Sequence, residues 1–179
     1  MANIIMNGTP IGPQSIYGWT GNKFGLRQEP IVGGYSFALM PGGFMEQNIT
    51  IQDTRYSDEV TAGLSYKFLS QSSGPCSCIL KFNYDNDGVD ILQLPLTYDI
   101  SQGNWVSTDD SIEARDDTKL KSIQIILRNN TKSTVCVTEL FANIDYTTGE
   151  VTYDSATFQK NSIMYGMDAL KPDLSKGGV

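Results

Sequence analysis

The stretch Ile79-Leu80-Lys81-Phe82-Asn83-Tyr84, turning at Asp87-Gly88 into Val89-Asp90-Ile91-Leu92-Gln93-Leu94, decides the fold. Apolar and polar residues trade places along both arms, and Asp-Gly between two such arms is a hairpin signal. The same pattern extends outward in both directions. Ile49 and Ile51 alternate with Asn48, Thr50 and Gln52; Leu64, Tyr66 and Phe68 alternate with Ser65 and Lys67; Ile123, Ile125 and Leu127 are followed by Val135 and Val137. Period-two alternation between turn signals means antiparallel strands with one face buried. No convincing helix interrupts the region from Tyr35 to Ile144, so two sheets must cover one another. The expectation is an all-β chain, an antiparallel β-sandwich.

Strands are expected at roughly 35–39, 44–52, 60–70, 78–85, 89–97, 104–107, 120–128, 134–144 and 150–154. Thr148-Gly149 marks a further hairpin, Asn129-Asn130-Thr131-Lys132 a polar turn, and Pro95 belongs on an edge or at a bulge. Residues 35–154 form the sandwich domain. Residues 1–34 are broken by Asn7-Gly8, Gly12-Pro13, Gly18, Gly21, Gly25 and Gly33-Gly34. They read as one short strand over Ile4 to Met6 and an irregular segment whose Tyr17, Trp19 and Phe24 pack it onto the domain or a partner. Residues 155–179 leave the β pattern. Ile163, Met164, Met167 and Leu170 have helical spacing, Ser162 is a cap and Pro172 a stop. With Phe158 and Tyr165 they form the apolar side of an assembly arm.

The chain has 179 residues, of which 40% are hydrophobic and 18% charged, which suits one globular domain with arms. A net charge of −7 disfavours nucleic acid and anionic lipid as partners. No apolar run approaches the roughly 20 residues of a membrane span. The start, Met1-Ala2-Asn3-Ile4-Ile5-Met6, has neither the basic nor the long apolar region of a signal peptide. Cys76, Cys78 and Cys136 read as reduced thiols of a protein made in a host cytoplasm. On that reading the acceptor-like sites at Asn7, Asn48 and Asn129 go unused.

Histidine is absent, which removes histidine triads, histidine metal ligands and the commonest general base. A carboxylate-pair glycosidase needs none, but no pair stands out among the 20 acids. The reading is therefore non-enzymatic. Asp85, Asp87 and Asp90 crowd one turn, which serves either as a plain hairpin or as a structural calcium site short of a full calcium loop. No other cofactor is expected. The acidic run from Asp109 to Asp117 reads as a solvated loop, with calcium or a basic partner as the alternative. Trp19 and Trp105 are the candidate sugar-stacking residues among Tyr35, Tyr66, Tyr84 and Tyr98; the alternative for all of them is core packing.

The order of features from about Trp19 to Ile144 resembles jelly rolls of the carbohydrate-binding-module type. The resemblance rests on Tyr17-Gly18-Trp19, on Gly34-Tyr35-Ser36-Phe37-Ala38-Leu39, on Gln47-Asn48-Ile49-Thr50-Ile51, on Leu64-Ser65-Tyr66-Lys67-Phe68, on the Asp-x-Asp-Gly hairpin followed by Trp105, and on Val135-Cys136-Val137-Thr138-Glu139-Leu140. Glu139 stands where that family usually carries an acid. Such jelly rolls occur in secreted glycosidases and in bacteriophage structural proteins. The resemblance implies a virion protein, either capsid decoration or a tail or baseplate-fibre component, that self-associates and meets other virion proteins. The alternative is a carbohydrate-binding module that attaches to glycans.

Overall fold

A computed structural model describes residues 2–11, 16–29, 34–52, 59–98, 104–144 and 150–153. Ten strands run through these residues: β1 (Ala2–Asn3), β2 (Thr20–Arg27), β3 (Ser36–Gln52), β4 (Glu59–Phe68), β5 (Cys76–Tyr84), β6 (Val89–Pro95), β7 (Val106–Glu113), β8 (Leu120–Asn129), β9 (Val135–Ile144) and β10 (Glu150–Tyr153). The main hydrogen-bonded path is β6-β5-β8-β3-β9-β4-β7, and its pairs are antiparallel. The chain is an antiparallel β-sandwich of jelly-roll type, as its alternation requires.

The two sheets share β3. Phe44 to Thr50 pair with β8, whereas Phe37 to Leu39 pair with β9. The corner between them is Pro41-Gly42-Gly43. Gly42 has φ 78°, and a side chain on Gly43 would meet the Lys23 carbonyl at 2.3 Å. β2 follows β3 around the same corner: its register shifts between Asn22 and Phe24, and Lys23 takes φ 53°. The two segments expected at 35–39 and 44–52 are thus one bent strand, because a glycine pair bends a ladder without ending it.

The core follows the alternation. Along β5 the side chains of Cys76, Cys78, Leu80, Phe82 and Tyr84 are buried, and Ser77, Ile79, Lys81 and Asn83 lie on the outer side. Ile49, Leu64, Ile123, Ile125, Leu127, Val135 and Val137 are buried as read. Each such aliphatic contributes about 1.5–3 kcal/mol by leaving water. Pro95 ends β6, an end strand of the path, where a missing N–H removes nothing from the ladder.

Three expectations change. The short strand expected over Ile4 to Met6 is instead Ala2–Asn3, paired with β9, and Ile4 and Ile5 beyond its end are buried core residues. Thr20 to Arg27, read as irregular, form β2 against β3, because Phe24 and Leu26 gain burial there despite Gly21 and Gly25. Asp109 and Asp110, read as loop, lie in β7, so the short strand expected at 104–107 instead runs from Val106 to Glu113. β7 is the other end strand, and exposed charge there keeps an open edge from pairing with further chains. Asp116 and Asp117 follow it, exposed. The arm residues Phe158, Ile163, Met164, Tyr165, Met167 and Leu170 lie outside the described residues.

Gln47 holds the N-terminal segment in place. It faces inward between Met45 and Ile49, and its amide is fully used: Nε2 donates to the carbonyls of Met6 (2.9 Å) and Gly18 (3.0 Å), and Oε1 accepts from the Met6 N–H (2.9 Å). Leu140 donates its N–H to the Gly8 carbonyl, and a Cβ on Gly8 would stand 2.0 Å from the Leu140 oxygen. Ile4, Ile5 and Ile16 are buried as a result.

Gln47→Ala leaves two carbonyls and one N–H without their partner and is expected to cost about 2–4 kcal/mol. That corresponds to a fall in Tm of roughly 5–15 °C for a chain of this length. Gln47→Leu, which restores volume without hydrogen bonds, should lose a comparable amount. A fall of only a degree or two by calorimetry in either variant would show that the amide does not anchor the segment.

Candidate functional site: a recess at one end of the sandwich

The site is built where β4 and β6 finish and β5, β7 and β9 begin. Strand alternation sends Tyr66 and Phe68 to the same side of β4. Thr97 and Tyr98 follow β6, and Asn104 and Val106 lead into β7. With Lys67, Leu69 and Ser70 they line a recess of about 190 Å³. Tyr66 is buried, and its hydroxyl donates to the Thr97 carbonyl (3.2 Å) and accepts from the Thr97 N–H (3.4 Å). That pair pins the segment after β6 onto the end of β4. Phe68 stands edge-on to Tyr66 at 6.1 Å between centroids and edge-on to Tyr98 at 6.0 Å. Phe68 and Tyr98 are half-buried, so the aromatic cluster is open on one side.

The surroundings are polar, with one ion cluster at the side. The Lys67 ammonium is bonded to the Glu29 carboxylate, which also lies 3.8 Å from Arg27. Ser70 donates from its hydroxyl to that of Ser133 and from its N–H to the same oxygen. Behind it, buried Asn129 is fully satisfied: Nδ2 donates to the carbonyls of Leu39 and Ser133, and Oδ1 accepts from the N–H and hydroxyl of Thr131. This network fixes the β8–β9 turn beneath the recess. It also leaves Asn129 inaccessible as a glycosylation acceptor.

The two tryptophans part company. Trp19 is 0% exposed, edge-on to Phe37 at 5.8 Å, and its indole N–H donates to the Asn7 carbonyl. It offers no ring face, so the stacking role expected of it is corrected to core packing and loop anchoring. Trp105 is half-buried against the core, between the recess residues Asn104 and Val106. Phe68 and Asn104 were not among the expected site residues. An aromatic at a strand end, next to polar loop residues, is the signal that points to them.

The acidic turn is at the other end of the sandwich and is not built as a metal site. Arg115 grips Asp90 with both ends of its guanidinium, Nε to Oδ2 at 3.0 Å and Nη2 to Oδ1 at 2.8 Å, and adds a bond from Nη2 to the Val89 carbonyl. The guanidinium lies over the Tyr84 ring at 5.1 Å and against the α-carbon of Gly88. Asp85 and Asp87 are exposed, and Asp87 occupies the left-handed turn position at φ 66°. Among the described residues no three acidic or cysteine side chains converge as ligands. The calcium alternative for Asp85, Asp87 and Asp90 is corrected: the third carboxylate belongs to an arginine. A second recess of about 220 Å³ lies over this turn, but its aromatic, Tyr84, is buried.

The thiols supply no nucleophile. Burial pushes Cys76, Cys78 and Cys136 up to about 12, so all three stay protonated at neutral pH. Glu139 sits half-buried at a bulge in β9 with φ 54°, between Thr138 paired with Ser65 and Phe141 paired with Gly63.

No protein-family model and no curated protein matches the chain. Its fold is nonetheless found among solved structures. One is the enzymatically active domain of tailspike protein 4 of bacteriophage CBA120, with a TM-score of 0.59 at 11% identity, covering 79% of this chain and 21% of that one. The chain thus spans about a fifth of that tailspike chain. Another is a family 16 carbohydrate-binding module, with a TM-score of 0.54 at 16% identity, covering 79% and 99%. A third is the module TmCBM61 in complex with β-1,4-galactotriose, with a TM-score of 0.51 at 9% identity, covering 81% and 100%. The chain has the jelly-roll fold of carbohydrate-binding modules, a fold that also occurs in a phage protein. Likeness at these identities speaks of fold alone.

The Arg115 guanidinium holds the Asp90 carboxyl below its ordinary value of 3.8. A carboxyl depressed in the folded state contributes stability that is present above the ordinary value and lost as pH falls through the folded value. Asp90→Asn is expected to lower the urea midpoint modestly at pH 7, since the pair is partly exposed. The difference from wild type should close on acidification below about pH 4. A difference that persists undiminished to about pH 2 would show that the charge pairing is not its source.

Proposed function

We propose that this chain is a non-enzymatic, glycan-binding jelly roll that serves as a structural component of a bacteriophage virion. The observation that carries the binding reading is the recess with Phe68 and Tyr98 on its wall and neutral hydrogen-bonding groups from Thr97, Ser70 and Asn104 around it. Aromatic walls suit the apolar C–H faces of a sugar ring, and a few fixed polar groups meet its hydroxyls. The fold shared with the two carbohydrate-binding modules supports this reading. The non-enzymatic part is supported by the absence of histidine and by a recess that gathers no carboxylate among its described lining residues.

The virion part is favoured by a separate observation, the fold shared with a domain of a phage tailspike. In that setting the jelly roll is the rigid body, in capsid decoration or in a tail or baseplate fibre, and residues 155–179 are the attachment arm. Phe158, Ile163, Met164, Tyr165, Met167 and Leu170 would supply its apolar contacts to other virion proteins or to further copies of the chain. Arms that order on assembly bury a large surface while each partner stays dispersed alone.

Binding is tested on a glycan array of bacterial and host sugars with wild type and Tyr98→Ala. The substitution should weaken the wild-type signal about tenfold or more, as loss of one anchoring aromatic does, with Tm retained. No wild-type binding at millimolar concentration would sink the glycan reading. Assembly is tested by deleting residues 158–179: the truncated chain should keep the melting temperature of the sandwich yet be missing from purified particles. Undiminished incorporation would remove the arm from the account.

A further inference from the structure

We infer that the recess takes a single uncharged sugar ring at the end of a glycan chain, not a segment from the chain's interior. The inference rests on the glycan reading above and specifies its ligand. Size is the first ground. Pockets for drug-sized ligands run to about 300–1,000 Å³, and this recess offers about 190 Å³. Its floor is closed by Tyr66, which is buried and whose hydroxyl already has both its partners in Thr97. The ring that enters meets Phe68 and Tyr98, with buried Tyr66 behind them.

The sheet surface is the second ground. An extended chain would lie across an outer sheet face and needs exposed aromatic rings along its path. Along the outer side of β5, β8 and the second half of β3, the described side chains are Ser77, Ile79, Lys81, Asn83, Ser122, Gln124, Ile126, Arg128, Phe44, Glu46, Asn48 and Thr50. The one aromatic among them, Phe44, has the Arg128 guanidinium over its ring at 5.0 Å. This face offers a glycan chain no row of exposed aromatic rings among the described residues, whereas Phe68 and Tyr98 stand half-buried side by side at the end of the sandwich.

Charge is the third ground. Lys67 is the charged residue among the described lining, and Glu29 pairs with it. A uronate or sialate would meet a chain of net charge −7, and the one cation of the described lining, Lys67, is already bonded to Glu29, which Arg27 shares. A carboxylate desolvated without a counter-charge is strongly disfavoured.

The test is a titration of the full chain, by NMR or calorimetry, with neutral homo-oligosaccharides of glucose, galactose, mannose, xylose and N-acetylglucosamine, one to six units long. Each series is repeated with the reducing end converted to an alditol, with the non-reducing ring methylated, and with the terminal unit at each end in turn bearing a carboxylate. For the sugar that binds, Kd should change less than about threefold from one unit to six, and altering one particular end should weaken it at least tenfold. Tyr98→Ala should weaken the same binding about tenfold or more with Tm retained. Affinity that tightens about tenfold or more with length, or that ignores both end modifications, means interior binding and overturns the inference while leaving the glycan reading intact. Equal affinity when the carboxylate is on the end that binds overturns its neutral character, and binding unchanged by Tyr98→Ala places the sugar elsewhere and overturns it too. Absence of binding across the neutral panel together with a blank glycan array removes the glycan reading itself.

Discussion

The fold depends on one strand turning a corner. β3 is hydrogen-bonded to β8 in one sheet and to β9 in the other, and β2 and β10 pair along its remaining side. A strand can serve two sheets only if its backbone bends sharply without losing its ladder. Gly42 at positive φ and Gly43 packed against the Lys23 carbonyl allow that bend. Any side chain on Gly43 would push β2 away and open the sandwich along its seam. The hydrophobic burial on both sides of the corner, from Phe37 and Leu39 to Met45 and Ile49, is possible because the two halves of β3 stay in one piece.

Buried polar groups then determine where the irregular segments lie. Apolar burial is non-directional and does not select one loop conformation over another. Gln47 and Asn129 do, because each presents a planar amide whose donors and acceptors must all be met. Gln47 places the N-terminal segment, and Asn129 shapes the β8–β9 turn beneath the recess. The two ends of the sandwich differ accordingly. One is closed by Arg115, which joins the end of β7 to Asp90 on β6 and so ties together the two terminal strands of the hydrogen-bonded path. The other end has no such clamp among the described residues, and there the aromatic cluster stays open.

The candidate site was partly legible. Tyr66 and Tyr98 stand out as aromatics, and Trp105 lies beside the recess, yet nothing local distinguishes them from Trp19, which is wholly enclosed. The difference is made by Asn7 and Phe37, which meet Trp19 from 12 residues before it and from β3. The cluster Asp85, Asp87 and Asp90 illustrates the same limit. Its density suggests a metal, but Arg115, 25 residues further on, answers the third carboxylate. A pairing of this kind has no local sequence signature.

What the sequence determined by itself is the side on which each strand residue sits, and with it the fold class. Period-two alternation follows from backbone pleating, a local property, so Leu80, Phe82, Ile123, Ile125 and Leu127 could be assigned to the core from their neighbours alone. Asp87-Gly88 marked its hairpin for the same reason, since the turn's positive φ is a local demand. The tertiary structure alone decided which polar groups meet and which aromatics remain accessible. It drew Thr20–Arg27 into a strand, placed Asp109 and Asp110 on an edge, buried Trp19 and left Phe68 and Tyr98 at an open end. Those outcomes depend on which distant segments cover a given surface, and the order of residues along one strand carries no record of what packs across from it.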